Sequence, residues 1–375
     1  MLSLYVHIPF CARICSYCDF PVLKAPSRIQ EQFVSAILRE ASLRIPPLHL
    51  KQWYSIYFGG GTPSALEHNL WLKLLESLNQ IHQLNCSSGE FSVESNPEST
   101  TKTWVQLMSD WGVNRFSLGV QSFNDQILQK IQRNHNSTQA MRAIELLLNS
   151  NYKVNADFIF DLPEQSSAQF HDDLRKAVAL GLPHISFYGL QIEAHTLLDQ
   201  QMRKGIFSHN QASYSEFYHG GVELLEKEGL NRYEISNFAR PGHESLHNLH
   251  YWQRGEYLGL GPGAHSFING VRYGNPRSFV HWLKWVDQSC PEGLMELDEV
   301  NEEAANLEKL WLGLRQNAGI NIQEWQKLGI SSSHSVFKKY VNLGWMSQND
   351  GFVQIMRDGW VYLDDIIASL ASIME

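Results

Sequence analysis

Residues 4–20 read LYVHIPFCARICSYCDF, a short β-rich run followed at once by cysteines at positions 11, 15 and 18. Thiolates this close together on one loop can reach three corners of a single [4Fe–4S] cubane. A disulfide across such short spacings would be strained, and a reducing compartment would open it. The motif therefore predicts a cluster held by Cys11, Cys15 and Cys18, with one iron left free of protein ligands. Such an open iron can bind a substrate directly, as an open catalytic zinc site does.

A structural zinc site is the alternative interpretation of this loop. Zinc needs a fourth Cys or His within short range, and His7 on the preceding strand is the nearest candidate. The two other cysteines, Cys86 and Cys290, lie far away in the sequence and are interpreted as incidental thiols. The cluster is the favoured interpretation.

Composition excludes some classes of function. The chain has 375 residues, a formal net charge of −9 and 43% hydrophobic residues. Because phosphate binding needs a positive surface, the acidic balance argues against nucleic acid as the main partner. The sequence shows neither an apolar run that could span a bilayer nor a secretory signal pattern, so we expect a cytoplasmic protein.

Short β-rich runs alternate with amphipathic helical stretches through the first 205 residues. The predicted strands are Leu4–Ile8, Trp53–Phe58, Phe91–Glu94, Arg115–Val120, Val154–Phe160 and Ile185–Leu190. Between them, apolar residues such as Ile29, Phe33 and Ile37 recur at helical spacing. Strands that alternate with helices predict a parallel sheet, because each crossover helix packs back on it. The expected fold is α/β, a partial (β/α)6 barrel that resembles a TIM barrel.

Polar and glycine-rich motifs follow the predicted strands at their carboxyl ends. Gly59–Pro63 follows the second strand, Glu94 ends the third and Gln121 ends the fourth. In parallel β/α folds this edge carries the active site. We therefore expect these motifs to meet the cysteine loop on one rim.

The pattern changes after about residue 205. A helix is predicted over 214–228, a strand over 233–238 and a linker over 289–298, followed by a helix over 301–315. A helix, a β-hairpin and a last helix are predicted over 337–370, as in a winged-helix module. These changes suggest three parts: a barrel over 1–205, a connecting α/β segment over 206–290 and a helical region over 291–375. The glycine-rich run Gly259–Gly263 is not interpreted as a dinucleotide-binding motif, because it lacks the placement between a strand and a helix that such a motif needs.

At these motifs the sequence resembles the oxygen-independent coproporphyrinogen oxidase group of the radical S-adenosylmethionine (SAM) superfamily. The stretches that carry the resemblance are residues 4–20, Gly59–Pro63, Val93–Pro97, Ser117–Phe123 and Tyr233–Asn237. The resemblance implies that the open iron binds the amino and carboxylate groups of SAM. It also implies that the reduced cluster cleaves SAM to methionine and a 5′-deoxyadenosyl radical.

The resemblance further implies a set of residues around SAM. They are Tyr5, Tyr17, Gly60, Gly61, Thr62, Glu94, Gln121, Arg133, Asp157 and Gly189. Glycines let backbone approach a ligand, and a carboxylate suits a cationic cofactor. Some of these residues also have an ordinary structural interpretation: Glu94 as a helix N-cap, Arg133 as a solvated helix-end cation, and the two tyrosines as core aromatics.

Two functions fit this group: an oxidase that decarboxylates coproporphyrinogen III, and a haem chaperone of the HemW type. The oxidases carry a further cysteine two positions after the third, where this chain has Phe20. They also have an extension ahead of the cluster strand, whereas that strand lies almost at the start of this sequence. The segment HNLHYW at 247–252 matches the HNxxYW motif that the resemblance links to haem binding. The chaperone is therefore favoured.

For the chaperone, the resemblance implies haem contacts at His247, Asn248, Tyr251 and Trp252. Imidazole suits iron and aromatic rings suit a flat macrocycle. His247 is the favoured axial ligand, with His250 and His265 as rivals that the sequence does not rank. The implied partners are haem, apo-haemoproteins that receive it and an electron donor for the cluster. A homodimer and the cleavage of SAM in turnover are left open.

Overall fold

A computed structural model describes residues 1–150, 152–207, 214–291 and 296–374. The six predicted strands are present: β1 Leu2–Ile8, β2 Ile56–Gly60, β3 Phe91–Ser95, β4 Arg115–Gln121, β5 Lys153–Phe160 and β6 His184–Gly189. Each pairs with the next in parallel. The helices between and after them are α1 Ser27–Arg44, α2 His68–Ile81, α3 Lys102–Asp110, α4 Asp125–Lys130, α5 Ser137–Leu148, α6 Ser167–Ala179 and α7 Leu197–Arg203. The predicted β/α alternation is confirmed.

The two faces of β1 show how the sheet divides core from cavity. Leu4, Val6 and Ile8 are fully buried in the main hydrophobic core, which also contains apolar side chains of α1. The alternate residues Tyr5 and His7 line a cavity on the opposite face. Successive side chains of a strand point to opposite faces, so one short sequence supplies both surfaces.

The middle of the chain extends the same sheet at both ends. Its elements are α8 Tyr214–Lys227, β7 Asn231–Arg232, β8 Asn237–Ala239, α9 Leu246–Trp252, β9 Glu256–Leu260, β10 His265–Ile268, β11 Val271–Gly274, α10 Phe279–Asp287 and β12 Glu296–Glu299. The twelve strands run in the order β12-β11-β10-β9-β1-β2-β3-β4-β5-β6-β8-β7. Because β12 and β7 end this order, the described barrel is open.

Two predictions of strands in this region need correction. Strand β9 was not predicted, and it pairs with β1 as a seventh parallel strand. The single strand predicted over 233–238 is wrong, since β7 and β8 form a short antiparallel hairpin around Tyr233–Ser236. There the side chain of Glu234 accepts a hydrogen bond from the amide of Ser236 at 3.1 Å. This local bond turns the backbone despite the strand-forming tyrosine and isoleucine.

The C-terminal region forms a second, smaller layer. Its elements are α11 Glu302–Leu314, β13 Ile320–Asn321, α12 Ile322–Lys327, α13 Ser335–Asn342, β14 Met346–Asn349, β15 Phe352–Ile355 and α14 Leu363–Ala371. The strands form an antiparallel sheet in the order β13-β15-β14. The predicted order of helix, hairpin and last helix is confirmed.

The remaining predictions about organisation have mixed outcomes. In the predicted linker, residues 296–299 form β12, and residues 292–295 lie outside the described residues. The division at 205 and 290 stays a prediction. Within the described part of the chain, no helix combines the length and apolar character needed to cross a bilayer.

Candidate functional site

The three cysteines lie together on the loop between β1 and α1. A bridge between Phe10 and Leu23 closes the base of this loop, where the amide of Cys11 donates to the Leu23 carbonyl at 3.1 Å. A turn brings the amide of Cys18 to 3.3 Å from the Cys15 carbonyl. All three thiols are free and partly exposed, and they line one cavity of about 720 Å³.

The surroundings of these thiols fit an iron–sulfur cluster. Thr62 Oγ1 donates to Cys11 Sγ at 3.5 Å, and Arg133 Nη1 donates to Cys15 Sγ at the same distance. Such donors stabilise thiolate charge. Burial raises the pKa of the Cys11 thiol to about 11, so this thiol is neutral until a metal displaces its proton. At Gly61, a Cβ atom would lie 2.7 Å from the Phe10 carbonyl oxygen and 3.0 Å from Cys11 Sγ, so a larger residue would crowd the cysteine loop.

The ring of His7, the zinc-ligand candidate, is engaged elsewhere. Its Nδ1 lies 3.0 Å from the Tyr5 hydroxyl and its Nε2 lies 3.4 Å from the Pro21 carbonyl. Within the described residues, no three His, Cys, Asp or Glu side chains converge as they would around a single ion. A cubane does not require such convergence, since each thiolate binds a different iron.

Nearly all of the predicted SAM residues meet in the cavity with the cysteines. Those that line it are Tyr17, Gly60, Gly61, Thr62, Glu94, Gln121, Arg133, Asp157 and Gly189. Tyr5 is the exception, because it lines a neighbouring cavity instead. The predicted convergence of motifs at one rim therefore holds for this set.

Gln121 has a strained backbone and an unpaired side-chain oxygen. It has a φ of 61° at a bulge where the pairing of β4 with β5 shifts register. Its side chain is buried, and Oε1 has no hydrogen-bond partner among the described residues. Left-handed backbone at a non-glycine residue costs free energy and is concentrated at functional sites. An unpaired buried oxygen that lines a cavity is available to a ligand donor.

Two carboxylates lie at the same rim. Glu94 Oε1 accepts from the Tyr57 hydroxyl at 2.7 Å, and its Oε2 accepts from the Gly60 amide at 3.0 Å. Withdrawal from water raises the pKa of Glu94 to about 7. Desolvation also raises the pKa of Asp157, which accepts from Ser117 Oγ and the Tyr188 hydroxyl, both at 2.9 Å. A cationic ligand would favour the ionised form of both groups.

The ordinary interpretations of Glu94 and Arg133 do not hold. The cap of α3 is Thr101, not Glu94. Arg133 is not a solvated helix-end cation, since its Nη2 donates to Asn96 Oδ1 at 2.8 Å and to the Gly119 carbonyl at 2.7 Å. Both side chains are held by the rim and face the cavity.

A second cavity of about 540 Å³ adjoins the first. Its lining includes Tyr5, His247, Asn248 and Tyr251. Phe20, Gly60 and Glu94 line both cavities, so they form a shared wall. Phe20, the residue at the position where the oxidases have a cysteine, is 65% exposed. The predicted haem residue Trp252 does not line this cavity.

The three rival histidines differ in their surroundings. His247 is buried, its Nδ1 is 2.7 Å from Ser55 Oγ and its Nε2 is 2.8 Å from the Tyr251 hydroxyl. Burial lowers the pKa of His247 to about 3. His250 lies outside the cavity lining, with Nε2 at 2.8 Å from the Glu256 carbonyl. His265 is exposed and lines the second cavity.

Glu90 and Arg115 hold the helix that carries the HNxxYW segment, a role that was predicted for neither residue. Glu90 accepts hydrogen bonds from the amides of Leu246 and His247, each at 2.9 Å, and pairs with Arg115 Nε at 3.0 Å. A carboxylate at this helix end satisfies amides that lack intrahelical partners. Nothing in the sequence distinguishes Glu90 from a surface carboxylate, because its partners on the helix lie about 155 residues away.

Comparisons with known proteins agree with this geometry. The radical SAM superfamily model matches residues 5–177. The haem chaperone HemW of Lactococcus lactis is 33% identical over 86% of this chain and 84% of its own length. HemW of Bacillus subtilis is 32% identical over 96% of both, and HemW of Synechocystis is 37% identical over 87% of this chain and 80% of its own.

A solved structure shows the same fold. Coproporphyrinogen III oxidase (HemN) of Escherichia coli, a radical SAM enzyme, superposes with a TM-score of 0.84 at 20% identity. The match covers 99% of this chain and 90% of that one. The sequence identity to the HemW proteins over most of their length decides the family. This chain belongs to the HemW family of the radical SAM superfamily.

Proposed function

We propose that this protein is a haem chaperone of the HemW type, which binds haem and delivers it to apo-haemoproteins. The observation that carries the proposal is the pair of adjoining cavities. The first is lined by the three cysteines, and the second by Tyr5 and the HNxxYW helix. Their shared wall at Phe20, Gly60 and Glu94 lets a ligand in one cavity influence the other.

The first cavity would hold a [4Fe–4S] cluster through Cys11, Cys15 and Cys18, with SAM beside it. When bound, this pair would supply reductive cleavage of SAM, the chemistry common to the superfamily. Gly60, Gly61 and Thr62 offer backbone and hydroxyl groups to the amino acid end of SAM. Glu94 offers a carboxylate to its positive charge.

The remaining rim residues would hold the rest of SAM. Arg133 would bind its carboxylate, while Gln121 and Asp157 accept hydrogen bonds from its ribose. Tyr17 and Gly189 would border the adenine. At Gly189 a Cβ atom would come within 2.6 Å of the Tyr214 ring, so a larger residue would crowd this side of the cavity.

The second cavity would bind haem against aromatic rings. Tyr57 stacks on His247 with ring centroids 4.9 Å apart, and Tyr251 meets His247 edge to face at 4.7 Å. Such rigid aromatic walls suit a flat macrocycle. Tyr5, predicted at the SAM site, belongs to this wall in the proposal, together with His247, Asn248 and Tyr251. Trp252 does not line this cavity, and its backbone carbonyl accepts a hydrogen bond from Gln316 Nε2 at 3.1 Å.

The oxidase is the second candidate function. The fold shared with HemN supports it, but Phe20 takes the place of the additional oxidase cysteine. An assay with coproporphyrinogen III separates the two functions, because a chaperone forms no protoporphyrinogen.

Several finer features belong to the same proposal. An electron donor reduces the cluster, and the protein acts in the cytoplasm, where thiols stay reduced. The chain would divide into three parts at residues 205 and 290. The protein would form a homodimer, which analytical ultracentrifugation tests.

The deciding experiment is an anaerobic haem titration of the reconstituted protein, followed by transfer to apomyoglobin. We expect a saturable shift of the Soret band and a transfer rate that changes when SAM is added. Absence of haem binding by the cluster-loaded protein, or formation of protoporphyrinogen, would overturn the proposal.

A further inference from the structure

Four histidines lie at or near the second cavity, namely His7, His247, His250 and His265, but they are not equally able to bind iron. We propose that His265, on β10, is the side chain that binds the haem iron, and that Arg254 and Arg272 pair with haem carboxylates. This inference rests on the proposed haem-binding function and assigns the ligand within it.

His7, His247 and His250 are already engaged by the protein. The ring nitrogens of His7 lie 3.0 Å from the Tyr5 hydroxyl and 3.4 Å from the Pro21 carbonyl. Both ring nitrogens of His247 lie within 2.8 Å of a hydroxyl oxygen, on Ser55 and on Tyr251. Iron binding through either nitrogen would break one of these hydrogen bonds and leave a buried hydroxyl without its partner. The ring of His250 lies outside the cavity, stacked on Tyr54 with centroids 4.5 Å apart.

The surroundings of His265 differ from those of His247 and His250. It is exposed and lines the cavity, and its ring makes no hydrogen bond or ion pair within the described part of the chain. It pairs across the β10–β11 ladder with Gly274. A Cβ atom at residue 274 would lie 3.0 Å from His265 Cε1, so glycine there leaves room for the ring. Its ring nitrogens are therefore available to a ligand in the cavity.

Hydrogen bonds hold both sides of the segment that carries His265. The buried carboxylate of Glu40 accepts from the Gly261 amide at 2.9 Å and from Asn275 Nδ2 at 2.8 Å. The backbone N–H of Asn275 donates a hydrogen bond to the Ala264 carbonyl at 2.9 Å. These bonds fix both ends of the segment between Gly261 and Asn275, so His265 is presented with little loss of conformational entropy.

Two cations border the same cavity. Arg254 Nε pairs with Glu308 Oε2 at 2.7 Å, and Arg272 Nη2 pairs with Glu308 Oε1 at 2.6 Å. Both guanidinium groups lie over the Phe267 ring, at 4.7 and 5.5 Å. Haem has an apolar body and two propionates, so it matches a mostly apolar cavity with two arginines at its edge. A propionate would compete with Glu308 of α11 and, at Arg272, also with Asp298, whose Oδ2 lies 3.5 Å from Nη1.

Ferric haem bound to single alanine variants tests the ligand by absorption and electron paramagnetic resonance. We expect His265→Ala to lose the histidine-ligated spectrum and at least tenfold in affinity, and added imidazole to restore the spectrum. His247→Ala removes part of the cavity wall and should lower haem affinity, but the haem that binds should keep the histidine-ligated spectrum. His281→Ala, which removes an exposed histidine of α10, should match the wild type.

The outcomes separate this inference from the function on which it rests. If His265→Ala keeps the wild-type spectrum while His247→Ala loses it, His265 is not the ligand and the haem function stands. If the wild type binds no haem, the proposed function itself fails.

The role of the arginines is tested with haem dimethyl ester, which lacks the two carboxylates. The wild type should bind haem more tightly than the ester, and this affinity ratio should fall on the order of tenfold in Arg254→Gln and in Arg272→Gln. An unchanged preference would overturn their role.

Discussion

The hydroxyl of Tyr57 donates a hydrogen bond to Glu94 at 2.7 Å, and this bond joins the two cavities. The Tyr57 ring stacks on His247 of the second cavity, while Glu94 lines both. If SAM changes the charge of Glu94, the hydrogen bond from Tyr57 would change with it, and the Tyr57 ring packs on His247 of the HNxxYW helix. This contact gives the proposed chaperone a short physical link between its two ligands.

The affinity for SAM should depend on pH through Glu94. Withdrawal from water raises the pKa of this carboxyl to about 7, and a sulfonium cation prefers the ionised form. Affinity should therefore rise as pH increases through about 7 and level off above it. Glu94→Gln should remove the dependence. Because the hydrogen bond from Tyr57 lowers the pKa of Glu94, Tyr57→Phe should move the midpoint to higher pH. Calorimetric titration across this range checks the prediction, and a flat profile in the wild type would contradict it.

Each cluster cysteine should be indispensable. Cys11→Ala, Cys15→Ala and Cys18→Ala should each abolish the brown colour and the iron content of the reconstituted protein, since each removes the protein ligand of one iron. Cys86→Ala is the matched control, because this partly buried thiol lies outside the cluster cavity. Iron and sulfide analysis with absorption spectra gives the readout. Loss of the cluster only in the control would refute the ligand assignment.

Gln121 and Asp157 should affect SAM without affecting the cluster. Loss of a hydrogen bond to a bound ligand costs about 1–3 kcal/mol, so Gln121→Ala and Asp157→Asn should weaken SAM binding by about ten- to hundredfold. Gln126→Ala, on the exposed face of α4, should change nothing. Equilibrium dialysis at equal cluster loading measures the effect. Wild-type affinity in both variants would remove these residues from the SAM site.

Glu90 should position α9, the helix that carries the HNxxYW segment. Glu90→Ala would leave Arg115 buried without its carboxylate and the amides of Leu246 and His247 without their acceptor. Such a change should lower the free energy of unfolding by about 3–5 kcal/mol. Urea unfolding measures this loss, with Glu76→Ala, exposed on α2, as control. Haem affinity, measured under conditions where the variant is folded, should also fall. Unchanged stability and affinity would show that this network does not hold α9.

The local motifs could be predicted because each depends on neighbours in the chain. The spacing of Cys11, Cys15 and Cys18 places three thiols on one loop whatever surrounds it. The alternation of β and α patterns predicted six parallel strands, and the carboxyl ends of such strands always share an edge. That rule was enough to predict that Gly60, Glu94 and Gln121 lie close to the cysteine loop.

Other features depended on contacts between distant parts of the chain. Strand β9 was missed because it pairs with β1 about 250 residues earlier, and that pairing places His265 and the HNxxYW helix beside the cluster strand. Tyr5 was predicted at the SAM site, but the pleat of β1 turns it into the second cavity. Sequence thus determined which chemical groups the protein carries. Only the tertiary structure decided which cavity each group faces, because that choice depends on strand register and on packing between residues far apart in the chain.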